Sequence, residues 1–218
     1  MKAFVAGSTG ETGRRIVQEL LQRQIPVKAL VRDPQTAPSI LPPEVEQVQG
    51  DVTQPSSLLS GMADCTVVLC ATGARPSLDP TGPYMVDCLG TKHLVDCAKQ
   101  LSIQHFVLVS SLCVSQFLHP LNLFWLVLFW KRQAEIYLEN SGLTYTIVRP
   151  GGLLNEEVPD PIFAAGADTL FEGRIARAQV AQVCVEALMQ PQAHSKIIEI
   201  VARPGAEAVP LPDLFARV

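Results

Sequence analysis

The stretch "FVAGSTGETGRRIV" (Phe4–Val17) decides the fold. An apolar run, "KAFVA", reaches Gly7 and reads as a strand. An amphipathic helix follows over Glu11 to Gln24, with Ile16, Val17, Leu20 and Leu21 on its apolar side. Between them Gly7, Gly10 and Gly13 are spaced GxxGxxG, a variant of the dinucleotide fingerprint. In that arrangement Gly7 allows a tight turn, Gly10 lets a pyrophosphate approach the backbone, and Gly13 lets helix pack on strand. The helix N-terminus then offers free N–H groups and a positive dipole end to phosphate, with hydroxyl donors on Ser8, Thr9 and Thr12. The expected binding turn is Gly7, Ser8, Thr9, Gly10, Glu11, Thr12 and Gly13. A purely structural turn is the alternative, and the position between strand and helix argues against it.

Outward from this turn, β-branched runs alternate with helical patterns. "PVKALVR", "VEQVQGD", "CTVVLCAT", "HFVLVSS", "LTYTIVRP" and "KIIEIVA" read as further strands. Helices are expected within 53–62, over 84–100, over about 122–140 and over 176–189, and a loop from Pro150 through Asp168. Near-continuous hydrophobic strands separated by helices mean an α/β chain with a parallel sheet covered on both faces.

The 218 residues suit one domain. With 48% hydrophobic residues, 17% charged and a net charge of −4, the chain has a large interior and no basic face for nucleic acid. Its six cysteines form no CxxC pair and have no histidine at metal-ligand spacing, so buried, reduced thiols are expected, with no metal. The four histidines are dispersed. Structure begins almost at residue 2, which leaves no expected room for a leader. The apolar run "FLHPLNLFWLVLFW" is broken by His119, Pro120 and Asn122, and its clean part falls short of the ~20 residues of a membrane span.

Nineteen positions after Gly13 stands Arg32, where an NAD-type fingerprint has an acid for the ribose 2′-hydroxyl. An arginine there clasps a 2′-phosphate and favours NADP(H) over NAD(H). The alternative leaves Arg32 as a solvated strand end, with Asp33 facing the ribose.

Together, "GSTGETGRRIV", "LVRD", "GDVTQPSSL", "FVLVSSL", "FWKRQAE", "GLTYTIVRPGGL" and "RIARAQVAQVCVEAL" resemble the atypical short-chain dehydrogenase/reductases of the NAD(P)-binding, NmrA-like group. The chain is most similar to the dehydrogenase-like domain of cyanobacterial and chloroplast Tic62-like proteins. The resemblance implies a single Rossmann-type domain over 1–218, with a doubly wound parallel sheet of six or seven strands. Residues 1–150 would bind the cofactor and 151–218 would face the substrate. It gives Asp51 and Val52 a role at the adenine, although Asp51 also suits a helix cap. Ala71, Thr72 and Gly73 would lie under the adenine ribose, with Ser110 at the cofactor. Ser111 would hold a substrate carbonyl, unless it merely ends its strand. Lys131 would bind the nicotinamide ribose, and Pro150, Gly151 and Gly152 would run along the nicotinamide.

One family residue is missing. The pattern places a proton-donating tyrosine four residues before Lys131, and Val127 stands there. Tyr137 lies on another helix face, and Tyr84 and Tyr145 could reach the site only through the fold. Two readings survive: an NADP(H)-dependent oxidoreductase whose flat quinone or flavin acceptor needs no tyrosine, or a non-catalytic NADP(H)-responsive binding protein. The run carrying Phe124, Trp125, Phe129 and Trp130 reads as a core helix, or as a peripheral membrane or protein contact, which the resemblance to proteins of photosynthetic membranes favours. Plant members carry a C-terminal tail that binds ferredoxin–NADP reductase; residues 1–218 contain no such repeats, so that partnership is not among the expectations. A cytoplasmic, cyanobacterial-type protein is the expected setting, with peripheral membrane association as the alternative that the apolar run leaves open. Cys113 stands as a redox-sensor candidate if its thiol is exposed and acidified.

Overall fold

The computed structural model describes residues 1–75 and 77–218. Its centre is a parallel sheet built from β1 (Ala3–Ala6), β2 (Val27–Val31), β3 (Glu46–Gln49), β4 (Val67–Cys70), β5 (His105–Val109), β6 (Tyr145–Pro150) and β10 (Lys196–Ala202). The order is β3-β2-β1-β4-β5-β6-β10, and every neighbouring pair in it is parallel. All residues of β1, β2, β4 and β5 are buried, as strands covered on both faces require.

On one face, α1 (Glu11–Gln22) and α5 (Arg177–Ala187) pack on the sheet and on each other through Ile16, Leu20, Val180 and Val183. The opposite face carries α2 (Pro55–Met62), α3 (Thr91–Gln100) and α4 (Val127–Glu139), which bury Leu58, Leu94 and Leu138. A π-helix over Pro83–Gly90 leads directly into α3. Wide turns of this type are rare and cluster at functional sites. A short α6 (Leu211–Leu214) tucks Leu214 and the following Phe215 into the first face.

Two parts differ from the sequence reading. The segment expected as a loop after Pro150 contains β7 (Gly152–Leu154), β8 (Ile162–Gly166) and β9 (Arg174–Ala176), which extend the sheet to ten strands among the described residues. β8 and β9 pair antiparallel with β10, and β7 parallel with β9. These strands of three to five residues exist through tertiary pairing, which leaves no periodic signal. The helix expected from Asn122 begins instead at Val127. Trp125 and Leu126 turn left-handed, at φ of 56° and 58°, and a short 3-10 turn covers Pro120–Leu123. Asn122 caps the helix from outside: its Oδ1 accepts from the Leu128 and Phe129 N–H groups at 2.9 and 3.1 Å.

Candidate nucleotide and acceptor site

In this sheet order the chain reverses between β1 and β4, and open α/β folds bind ligands in the crevice at that point. A groove of about 340 Å³ lies there, lined by Gly7, Thr9 and Gly10 of the first turn, Arg32 after β2, Asp51 and Val52 after β3, and Ala71, Thr72 and Gly73 after β4. Gly7 has a φ of +79°, and a Cβ on it would stand 2.5 Å from the Ala71 carbonyl oxygen. A Cβ on Gly13 would stand 2.0 Å from the Gly7 oxygen. Only glycine allows strand, turn and helix to approach so closely.

The polar residues of the groove divide by how they are already engaged. The Ser8 hydroxyl is buried and donates to the Leu30 carbonyl at 2.8 Å, tying the turn to β2. Glu11 is exposed and bonds Arg14 and Arg15 outside the groove, and Thr12 is buried in the first turn of α1. Asp51 Oδ1 accepts from the Thr53 N–H and hydroxyl, both at 2.8 Å, so one carboxylate oxygen serves the local turn. Asp33 is occupied by its own turn, accepting from Gln35 N at 2.9 Å and from the Thr36 hydroxyl at 3.1 Å. Arg32 has no carboxylate partner among the described residues. Arg75, a second cation that sequence reasoning missed, lines the same groove. Every element of the groove suits a nicotinamide dinucleotide: small residues against the chain, an α1 N-terminus for phosphate and cations at the ribose end.

Thr72 also lines a small cleft, about 10 Å³ and the size of one water, together with Asp87, Thr91, Ser110 and Lys131. This cleft continues the groove under the ends of β4 and β5. Lys131 enters from α4 and Asp87 from the π-helix. The Lys131 Nζ lies 2.6 Å from Asp87 Oδ1, an ion pair whose angles fall outside those of a regular hydrogen bond. Asp87 is almost wholly buried, and its Oδ2 accepts from the Ala74 N–H at 3.0 Å, so it also fixes the loop that floors the groove. Burial, the largest influence on Lys131, disfavours its ammonium. The Asp87 charge and contact outweigh it and leave the pKa above the ordinary lysine value. Lys131 is therefore held as a cation, and an ammonium has donors beyond the one turned to Asp87. Ser110 Oγ, 93% buried by residue, faces this cleft with no hydrogen-bond partner. A buried hydroxyl left unpaired is a group awaiting a ligand or water.

Ser111 follows at the end of β5, half-buried and outside the lining of that cleft. Pro150, Gly151 and Gly152 lie beside it at the end of β6, with the Pro150 carbonyl accepting from Leu112 N at 3.0 Å. The Gly151 and Gly152 amides are spent on the Ile200 and Gly173 carbonyls, at 3.0 and 2.9 Å. Tyr137 bonds Asp96 at 2.7 Å. Tyr84, in contrast, comes to α4, its ring 4.8 Å from that of Trp130. Cys113 is buried with its thiol on the Phe171 carbonyl, and burial raises its pKa, the opposite of what an oxidation sensor requires.

A buried network holds α4 in register. Arg149, wholly buried on β6, donates to Glu135 through Nε and Nη2 at 3.0 and 2.8 Å and to Glu199 through Nη1 at 3.1 Å. Glu199 on β10 in turn accepts the N–H groups of Asp168, Thr169 and Leu170. Since Glu135 lies one turn beyond Lys131, these bonds fix the lysine's helix against β6, β10 and the loop after β8.

The apolar run divides at Val127. Phe129 and Trp130 are half-buried, in contact with each other at a 4.9 Å ring separation. Leu123, Phe124 and Trp125 are exposed, the first at 84%. The core-helix reading thus fails upstream of the helix, where two left-handed residues turn the chain outward. No helix among the described residues is long and apolar enough to cross a membrane.

Comparison with known proteins agrees with this geometry. Residues 7–191 match the NAD(P)H-binding family. An uncharacterized chloroplastic protein of Arabidopsis thaliana is 46% identical over 230 residues, spanning 100% of this chain and 82% of that protein. Protein TIC 62, chloroplastic, of the same plant is 38% identical across 99% of this chain, which spans only 38% of its length. Sanguinarine reductase of Eschscholzia californica is 29% identical, covering 100% of this chain and 96% of the enzyme. Among solved structures, a Bacillus halodurans protein described as an NAD-dependent epimerase/dehydratase superposes with a TM-score of 0.89 at 25% identity, each chain covered completely. The chain belongs to the NAD(P)H-binding, Rossmann-fold, oxidoreductase-like family that includes the Tic62 proteins.

Proposed function

We propose that the protein is an NADP(H)-dependent reductase that passes hydride to a flat acceptor of the quinone or flavin type. The observation that carries this reading is the cleft at the end of the groove. There a buried Lys131–Asp87 pair and an unpaired Ser110 hydroxyl converge where the nicotinamide end of a cofactor would lie. Lys131 binds the ribose diol, Ser110 meets the cofactor, and Ser111 lies at the acceptor. When bound, the nicotinamide supplies the hydride. An acceptor that takes its second proton from water needs no tyrosine at 127. The 29% identity to a sanguinarine reductase, an enzyme named for reducing its substrate, adds support. Preference for NADPH rests on Arg32, which has no carboxylate partner among the described residues, and on Asp33, whose carboxylate is committed to its own turn.

Fluorescence titration tests the cofactor half. Arg32→Glu is expected to weaken NADPH at least ~10-fold while changing NADH little, the loss of one charge-assisted phosphate contact being ~1.5–3 kcal/mol. Equal weakening of both would overturn the 2′-phosphate assignment. Loss of NADPH absorbance with quinones, free flavins and carbonyl compounds tests the chemical half.

A second reading has its own observation. The exposed Leu123, Phe124 and Trp125 suit peripheral docking on a membrane or redox partner by a protein that binds NADP(H) without turnover. Tight NADPH binding with no turnover across that panel would favour it.

A further inference from the structure

The two helices that hold the Lys131–Asp87 pair carry a second pair one step nearer the carboxyl edge of the sheet, Tyr84 and Trp130, with rings 4.8 Å apart. From Trp130 the aromatic contacts continue to Phe129 at 4.9 Å and on to Phe117 at 5.9 Å. They end on an apolar lip in which Leu118, Leu123 and Phe124 are 92%, 84% and 66% exposed. The Trp125 indole N–H donates to the Ser77 carbonyl at 3.3 Å, joining this lip to the loop that carries Leu78, itself 95% exposed. An aromatic track thus runs from the helices that carry the Lys131–Asp87 pair to an open apolar surface.

The charge pattern along that track selects among acceptors. From Ser110 to Trp130 there is no Asp, Glu, Lys or Arg. The two cations that follow are both engaged, Lys131 with Asp87 and Arg132 with Glu135 and Glu139 at 3.0 and 2.7 Å. A flavin nucleotide would bring a phosphate to a segment that offers it no free lysine or arginine. An uncharged acceptor with a hydrocarbon chain would place its ring against Tyr84 and Trp130 and its chain along Phe117, Leu123 and Phe124. Resting on the reductase reading, we propose that the acceptor is a neutral, hydrocarbon-tailed quinone and that the 117–126 lip is the binding site for its tail. In the step, two electrons and one proton leave the nicotinamide C4 as hydride and reduce the quinone. A proton from water completes the hydroquinone, and NADP⁺ remains.

The test compares a decyl-substituted benzoquinone, the same headgroup without a chain, and flavin mononucleotide. The wild type and the surface variant Leu123→Ser/Phe124→Ser are assayed, and quenching of tryptophan fluorescence gives quinone affinity independently of turnover. Each methylene buried on the lip is worth roughly a fourfold factor. The tailed quinone should therefore exceed the tailless one at least ~10-fold in kcat/KM and in affinity. The variant should lose most of that preference and keep its kcat/KM for the headgroup. Equal values for tailed and tailless quinones, preference for flavin mononucleotide, or an unchanged preference in the variant would each overturn the proposal. So would a dimer, or binding to phosphatidylcholine vesicles, that the variant abolishes in the absence of any tail effect, which would assign the lip to a second copy or to a bilayer. Absence of turnover with tail-dependent binding intact would overturn the reductase reading and leave the tail site standing.

Discussion

Removing one member of the Lys131–Asp87 pair should cost far more than the pair itself contributes. At 2.6 Å and an effective dielectric near 20, the attraction between the two charges is about 6 kcal/mol. Desolvation of both groups consumes most of it, since the Asp87 side chain is 1% exposed and that of Lys131 18%. A single substitution leaves the partner's desolvation without its compensation. Asp87→Leu should strand a buried ammonium and also strip the Ala74 N–H of its acceptor, and Lys131→Met should strand a buried carboxylate. Each is expected to lower stability by ~3–5 kcal/mol. The double variant should cost clearly less than the sum, with a coupling energy of ~2–3 kcal/mol. Asp87→Asn, which keeps an acceptor for Ala74, should be milder than Asp87→Leu. Urea unfolding followed by tryptophan fluorescence measures all four. Additivity within ~0.5 kcal/mol would refute the reasoning, because it would mean that the two groups do not sense each other.

Three other outcomes follow from the packing. His105 is buried with its Nε2 2.9 Å from the Thr146 hydroxyl, and desolvation, with a smaller push from His194, holds its pKa at about 4 against an ordinary 6.5. The native state therefore binds fewer protons than the unfolded chain. Stability from this group is full above pH 6.5 and declines as pH falls toward 4, by up to ~3 kcal/mol. Denaturation midpoints at pH 7 and 4.5 should converge for His105→Gln relative to wild type, and identical acid losses in both would contradict the assignment. Gly13→Ala should destabilise the fold by ~3 kcal/mol or more and abolish cofactor binding, whereas Gly10→Ala, whose Cβ would meet only the Gly7 oxygen at 3.2 Å, should fold normally by thermal melting. Arg149→Ala leaves Glu135 and Glu199 buried without their cation and should cost at least ~4 kcal/mol in urea unfolding.

The first turn of the groove and Arg32 could be read from residue types alone because their determinants lie mostly within one βαβ unit. Gly13 is required by its contact with Gly7, six residues away, and Arg32 sits at a fixed distance along that unit, whereas the Ala71 carbonyl that demands glycine at position 7 comes from the distant end of β4. Asp87 had no such signal. In "PYMVDCLG" it looks like an isolated acid in an apolar helix, and only the wide turn of the π-helix brings it to Lys131. Ser110 and Ser111 were both legible as a strand end, but which of them lines the cleft depends on strand register and packing. The run "LFWLVLFW" that follows Asn122 is uniformly apolar, so its periodicity could not show where the helix begins. That was settled by the Asn122 cap and by two left-handed residues whose backbone state no composition reveals.

The most direct test of the central claim is the deuterium isotope effect on NADPH oxidation with a decyl-substituted benzoquinone, using NADPH deuterated on either face of the nicotinamide C4. A reductase predicts turnover with a primary isotope effect for one face only, and turnover lost in Lys131→Ala. NADPH that binds tightly yet is never oxidised, or is oxidised without a face-specific isotope effect, would contradict it and leave the groove as a binding site alone.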